Sequence, residues 1–146
     1  MNHLAQLTTD RQRGSATLEL AILAPALLLL LGLVVLAGRV QVAAGAVEHA
    51  AAVAARDASL ARTPAAAQAT GTVAADRELT AQDLRCAPVS VIIDTTGFAA
   101  PVGQPATVTA TITCTVTFAD LALPGLPGAH TLTAHATSPL DTWRTR

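Results

Sequence analysis

Residues 20–38 read LAILAPALLLLLGLVVLAG, an uncharged apolar run of 19 residues bounded by Glu19 and Arg39. Wound as a helix rising about 1.5 Å per residue, it covers roughly the 30 Å of a bilayer's hydrocarbon layer. The apolar region of a secretory signal is shorter, about 7–15 residues, and is followed by a small-residue cleavage site. A cut of that kind fits only at Val42-Ala43-Ala44, which would start a secreted chain near Gly45. The run therefore predicts a membrane-spanning helix over 15–38 in a single-pass protein. Arg11 and Arg13 precede the span and Arg39 alone follows it. That bias places the N-terminus in the cytoplasm and residues 39–146 outside it.

Composition agrees with one membrane segment and one small domain. Of the 146 residues, 51% are hydrophobic and only 13% charged, and every basic side chain is Arg. A formal charge of −1 and 2% aromatic residues supply neither a basic field for a phosphate backbone nor rings for stacking bases, which argues against a nucleic-acid partner. The two cysteines, Cys86 and Cys114, are an even count in a chain with an exported domain, and this favours one disulfide over a metal site needing more ligands. A bond between them would enclose a 27-residue loop, for which chain entropy predicts roughly 3.5 kcal/mol of stabilisation.

Beyond the apolar run, residues 39–57 have no strong helix breaker, and Val40, Ala43, Val47, Ala50, Ala51, Ala54 and Ala58 recur mostly at three- and four-residue spacing. The spanning helix is expected to continue as an extracytoplasmic stalk to about Arg62, with a face built of small residues. Thr63-Pro64 then signals a new helix, Thr as cap and Pro in the first turn, with Gly71 a point of interruption. Residues 39–84 form this helical region. After Cys86 the periodicity changes from helical to alternating. Val89, Val91 and Ile93 alternate, and from Thr107 to Phe118 Val108, Ala110, Ile112, Cys114, Val116 and Phe118 share one face while threonines fill the other. Leu132, Ala134 and Ala136 mark a third strand. Turns are expected at 97–105 and 123–128, where Gly and Pro cluster. The fold class is α+β: a long N-terminal helix, a second short helix and a small three-stranded antiparallel sheet over 85–146, with Trp143 closing one end of its core.

No enzyme motif is present. The phosphate-binding Gly-rich loop, the serine nucleophile elbow and Cys-x-x-Cys spacing are all missing. His3, His49, His130 and His135 are scattered, and the last two fall on opposite faces of one strand, which argues against a shared metal. The reading is a protein with no catalytic residues, no cofactor and no small-molecule substrate.

The boundary before the apolar run carries the most specific signal. Arg11-Gln12-Arg13-Gly14-Ser15-Ala16-Thr17-Leu18-Glu19 places a carboxylate at the edge of a span, where it is costly unless paired or hydrated. Glu19 is the fifth residue if Ser15 is the first. With Pro25 inside the apolar run, Arg13–Leu36 resembles the start of TadE-like proteins, pseudopilins of the tight-adherence (Flp) pilus system with a type IV prepilin-like N-terminus. The resemblance implies a basic leader, 1–14, removed between Gly14 and Ser15 by a prepilin peptidase. Glu19 would be the assembly glutamate, pairing with the freed Ser15 amino group of a neighbouring subunit. Pro25 would kink or loosen the helix, by losing one backbone hydrogen bond. The implied partners are other pilin-like subunits, the pilus membrane platform, the peptidase and membrane lipid. An uncleaved, membrane-anchored binding module is the alternative reading of the same residues.

Overall fold

The computed structural model describes the backbone of residues 3–117 and 129–143, with side chains from residue 19 onward. Its elements run α1 (His3–Leu60), α2 (Pro64–Ala81), β1 (Val89–Asp94), a 3-10 turn (Thr96–Ala99), β2 (Thr107–Thr117) and β3 (Ala129–Pro139). The chain divides into two compact units at Gly38, and each is considered in its own right. This is the α+β arrangement that the sequence predicts.

The first unit, Met1–Gly38, consists of the N-terminal part of α1, with Pro25 inside the helix. From Leu20 to Val35 its leucines, isoleucine and valines are exposed on every side, among them Leu20, Ile22, Leu27, Leu28 and Val34 at 62–68%. Exposing a side chain of this size to water costs about 1.5–3 kcal/mol, so ten of them outweigh the whole stability of an ordinary domain, about 5–15 kcal/mol. A helix apolar all round belongs in an apolar medium. Among the described residues this helix alone has the length and composition to cross a membrane.

The second unit, Arg39–Arg146, is built around the sheet. Strand order is β1-β2-β3, antiparallel throughout, with Val89 opposite Cys114 and Thr107 opposite Pro139. Alternation in β2 is complete: Val108, Ala110, Ile112, Cys114 and Val116 are buried and the intervening threonines face outward. These inner residues share one buried cluster with Ala43, Val47, Ala50, Ala51, Ala54, Ala55 and Ala58 of α1 and with Ala67, Ala75 and Leu79 of α2. The small-residue face expected on the stalk is thus spent on the unit's own core. On the outer face, threonine hydroxyls pair across the strands at Thr109–Thr137 (3.1 Å), Thr113–Thr133 (3.4 Å) and Thr115–Thr131 (3.0 Å). Each such cross-strand pair contributes about 0.2–1 kcal/mol.

α2 starts where Thr63-Pro64 predicts, the Thr63 hydroxyl accepting from the Ala66 N–H at 3.2 Å. It runs back along α1, with Glu78 reaching His49 (3.7 Å) and Arg77 reaching Asp57 (3.9 Å). Gly71 does not interrupt it. A Cβ there would lie 2.9 Å from Ile93 Cδ1 and 3.2 Å from the Ala54 carbonyl, so the residue that weakens the helix locally is the one that lets it approach α1 and β1. The helix ends with the Leu84 and Asp83 amides returning to the Leu79 and Thr80 carbonyls, Asp83 taking the left-handed conformation (φ 52°) that this terminator requires.

Two expectations at the end of the chain need correction or lie outside the description. Trp143 is 84% exposed and closes nothing; Leu140, 5% exposed, fills that end of the core, held by its amide on the Ala106 carbonyl at 2.8 Å. Phe118 and the 123–128 turn lie outside the described residues. Between β1 and β2, Asp94 accepts from the Thr96 amide at 2.9 Å, and this bond with that of the Thr96 side chain holds the carboxyl below its ordinary range. The turn that follows brings Gly97 against the Thr107 backbone so closely that a Cβ would collide with the Thr107 carbonyl oxygen. Neither partner can rotate away. Gly97→Ala is expected to destabilise the unit by about 1–3 kcal/mol, read as a lowered denaturation midpoint at unchanged m-value.

Candidate functional site

The residues singled out for assembly, Gly14, Ser15, Glu19 and Pro25, all fall within α1. Backbone helix runs through Gly14 and Ser15, and Glu19 stands exposed directly before the exposed apolar run. Glu19 and Pro25 are six positions apart, about a turn and two thirds, so the proline follows the carboxylate within the first half of the apolar run. The arrangement puts one ionisable group at the end of an otherwise uncharged segment. Such a group in an apolar medium needs an opposite charge or water.

Cys86 and Cys114 are bonded to each other, with Cα atoms 5.0 Å apart. Cys114 is buried at the centre of the inner face, and Cys86, half-buried, lies between α2 and β1. The bond therefore ties the segment leaving the helices to the central strand. Backbone contacts flank it: Ala87 donates to the Thr115 carbonyl at 2.8 Å and Thr115 to the Pro88 carbonyl at 3.1 Å.

His49 on α1 and His130 and His135 on β3 are exposed, and the latter two are five positions apart in the strand register, His130 opposite Val116 and His135 opposite Thr111. Among the described residues no group of three or more His, Cys, Asp or Glu is placed to hold a metal ion. Sequence reasoning missed the packing role of Gly71 and the core position of Leu140, both of which depend on neighbours distant in sequence.

Helix and sheet together define an α+β protein with one membrane-length apolar helix near its N-terminus. Residues 14–56 are similar to the family whose model is described as TadE-like protein. The match opens at Gly14, takes in Glu19 and Pro25, and ends within α1. No curated protein and no solved structure matches the chain.

Proposed function

We propose that this chain is a TadE-like minor pilin or pseudopilin that takes part in assembling a tight-adherence (Flp, type IVb-like) pilus, after removal of residues 1–14 by a prepilin peptidase. The observation that carries the reading is the TadE-like match over 14–56, which spans the Gly14-Ser15 junction, Glu19 and Pro25 on one helix. In this reading 15–38 is the membrane helix, 39–84 the helical stalk and 85–146 the disulfide-pinned sheet domain outside the cytoplasm. Glu19 pairs with the new Ser15 amino group of a neighbouring subunit, and Pro25 gives the helix a flex point for leaving the bilayer. The chain is a substrate of the peptidase and has no chemistry of its own. Its partners are pilin-like subunits, the membrane platform, the peptidase and lipid.

The intact mass and N-terminal sequence of the mature protein from its native membrane test this directly. A terminus at Ser15 is the expected result. Met1 would replace the proposal with an uncleaved tether bearing a binding module, and a start near Gly45 would mean release by signal peptidase.

A further inference from the structure

Trp143, the single tryptophan of the chain, stands 84% exposed on a segment whose backbone is firmly held. The Leu140 amide donates to the Ala106 carbonyl at 2.8 Å and the Gly103 amide to the Thr142 carbonyl at 2.9 Å. The Trp143 amide itself donates to the Asp141 carboxylate at 3.0 Å. The indole is therefore presented to solvent by a fixed turn. It borders a cleft of about 370 Å³ between the end of α1 and the chain that follows β3. Leu60, Pro139 and Trp143 give this cleft apolar walls, and Ser59, Asp141 and Thr142 give it polar ones.

Size and chemistry narrow what such a cleft accepts. Its volume falls at the small end of ligand sites, about 300–1,000 Å³, whereas a folded partner needs about 20–30 residues on each side. No Arg, Lys or His is among the lining residues to draw in an anion. An organic cation is best held by a cage of several rings, and Phe98, buried in the core, supplies no second wall. The Asp141 carboxylate serves the turn by holding the Trp143 amide. The Ser59 hydroxyl donates to the Arg56 carbonyl (2.7 Å) and accepts from Ser138 (3.0 Å), which leaves it one lone pair for a further donor. An uncharged ligand with one apolar face and hydroxyls around its edge meets all of these conditions.

We propose that this cleft is a glycan site, in which a neutral pyranose ring stacks on the Trp143 indole and its edge hydroxyls bond to Ser59 and Thr142. The axial C–H groups of a pyranose carry partial positive charge, and they meet the negative face of the indole. A ring hydroxyl donates to Ser59, and the Thr142 hydroxyl both donates and accepts. Leu60 and Pro139 exclude water from the edges of the stack. All of these residues belong to the second unit, so the site is independent of cleavage at Gly14 and stands or falls separately from it.

With one tryptophan and no tyrosine in the chain, intrinsic fluorescence excited at the indole band reports on this cleft alone. The full chain in a sugar-free detergent is titrated with cellotetraose and with chitotetraose. A saturable blue shift of the emission with either sugar, half complete in the millimolar range, is the expected result. Glucitol, which has the hydroxyls but no closed ring to stack, is expected to leave the emission unchanged. Trp143→Ala removes an exposed side chain and leaves the core intact, and it is expected to weaken binding at least about tenfold. For that variant the Gly103 and Thr142 amide shifts in NMR spectra replace the lost fluorescence. The absence of a saturable shift with both oligosaccharides overturns the proposal. So does an equal response to glucitol, or undiminished binding by Trp143→Ala. An emission change that follows protein concentration without any sugar would assign the cleft to a second copy of the chain and likewise refute a glycan site.

Discussion

Glu19→Gln is expected to leave the chain inserted and cleaved but to remove it from assembled fibres. The substitution keeps size and hydrogen-bonding capacity while deleting the charge, so insertion, which is driven by the apolar run after it, is unaffected. In the proposed assembly the Ser15 amino group of the neighbouring subunit then loses its counter-charge in an apolar bundle. Breaking one side of such a pair costs about 3–5 kcal/mol, which corresponds to a loss of roughly a hundredfold or more in incorporation. Immunoblots of sheared fibre and membrane fractions read this against a mature terminus still at Ser15. Wild-type amounts in the fibre would refute the role given to Glu19. Uncleaved protein would instead move its importance to peptidase recognition.

Cys86→Ser carries the second large effect. Cys86 is half-buried whereas Cys114 is wholly enclosed, so changing Cys86 removes the covalent link while disturbing the core least. The loss of roughly 3.5 kcal/mol is a large part of the 5–15 kcal/mol available to a domain. For a unit of this size it corresponds to a fall of roughly 15 °C in the melting temperature of the sheet signal. Reductant added to the wild-type chain is expected to produce a comparable fall and to have no effect on the variant. A melting temperature that neither treatment changes would show that packing alone holds the unit.

The sheet was legible because its determinants are local and periodic. Strict alternation from Thr107 to Thr117 leaves one choice of face for every residue, and the turn chemistry of Thr63-Pro64 marks a helix start without reference to anything distant. Gly71 and Trp143 were misread for the opposite reason. A glycine is a weak helix former until a neighbour needs the space of its missing Cβ, and nothing near position 71 in the sequence announces Ile93. Trp143 has the larger apolar surface, yet Leu140 lies closer to the last pairing with Ala106 and takes the core position. The spacing of the residues proposed for assembly is legible for another reason again. Gly14, Ser15, Glu19 and Pro25 lie within twelve consecutive residues of one helix, so their spacing can be read directly. The proposed partner of Glu19 belongs to a second chain, and no periodicity encodes that.

The alanine face of α1 gives the core an asymmetric tolerance to change. Ala50, Ala51, Ala54 and Ala58 are almost wholly enclosed, and alanine has no rotamers to freeze, so their burial orders the helix at little side-chain entropy cost. They also have almost nothing left to remove. Where a leucine-rich core is damaged mainly by truncation, this one is damaged mainly by growth: a single added methyl must push helix and sheet apart. Substitution along that stripe is therefore tolerated only by the smallest residues, whereas a change on the threonine face costs no more than the cross-strand pair it breaks.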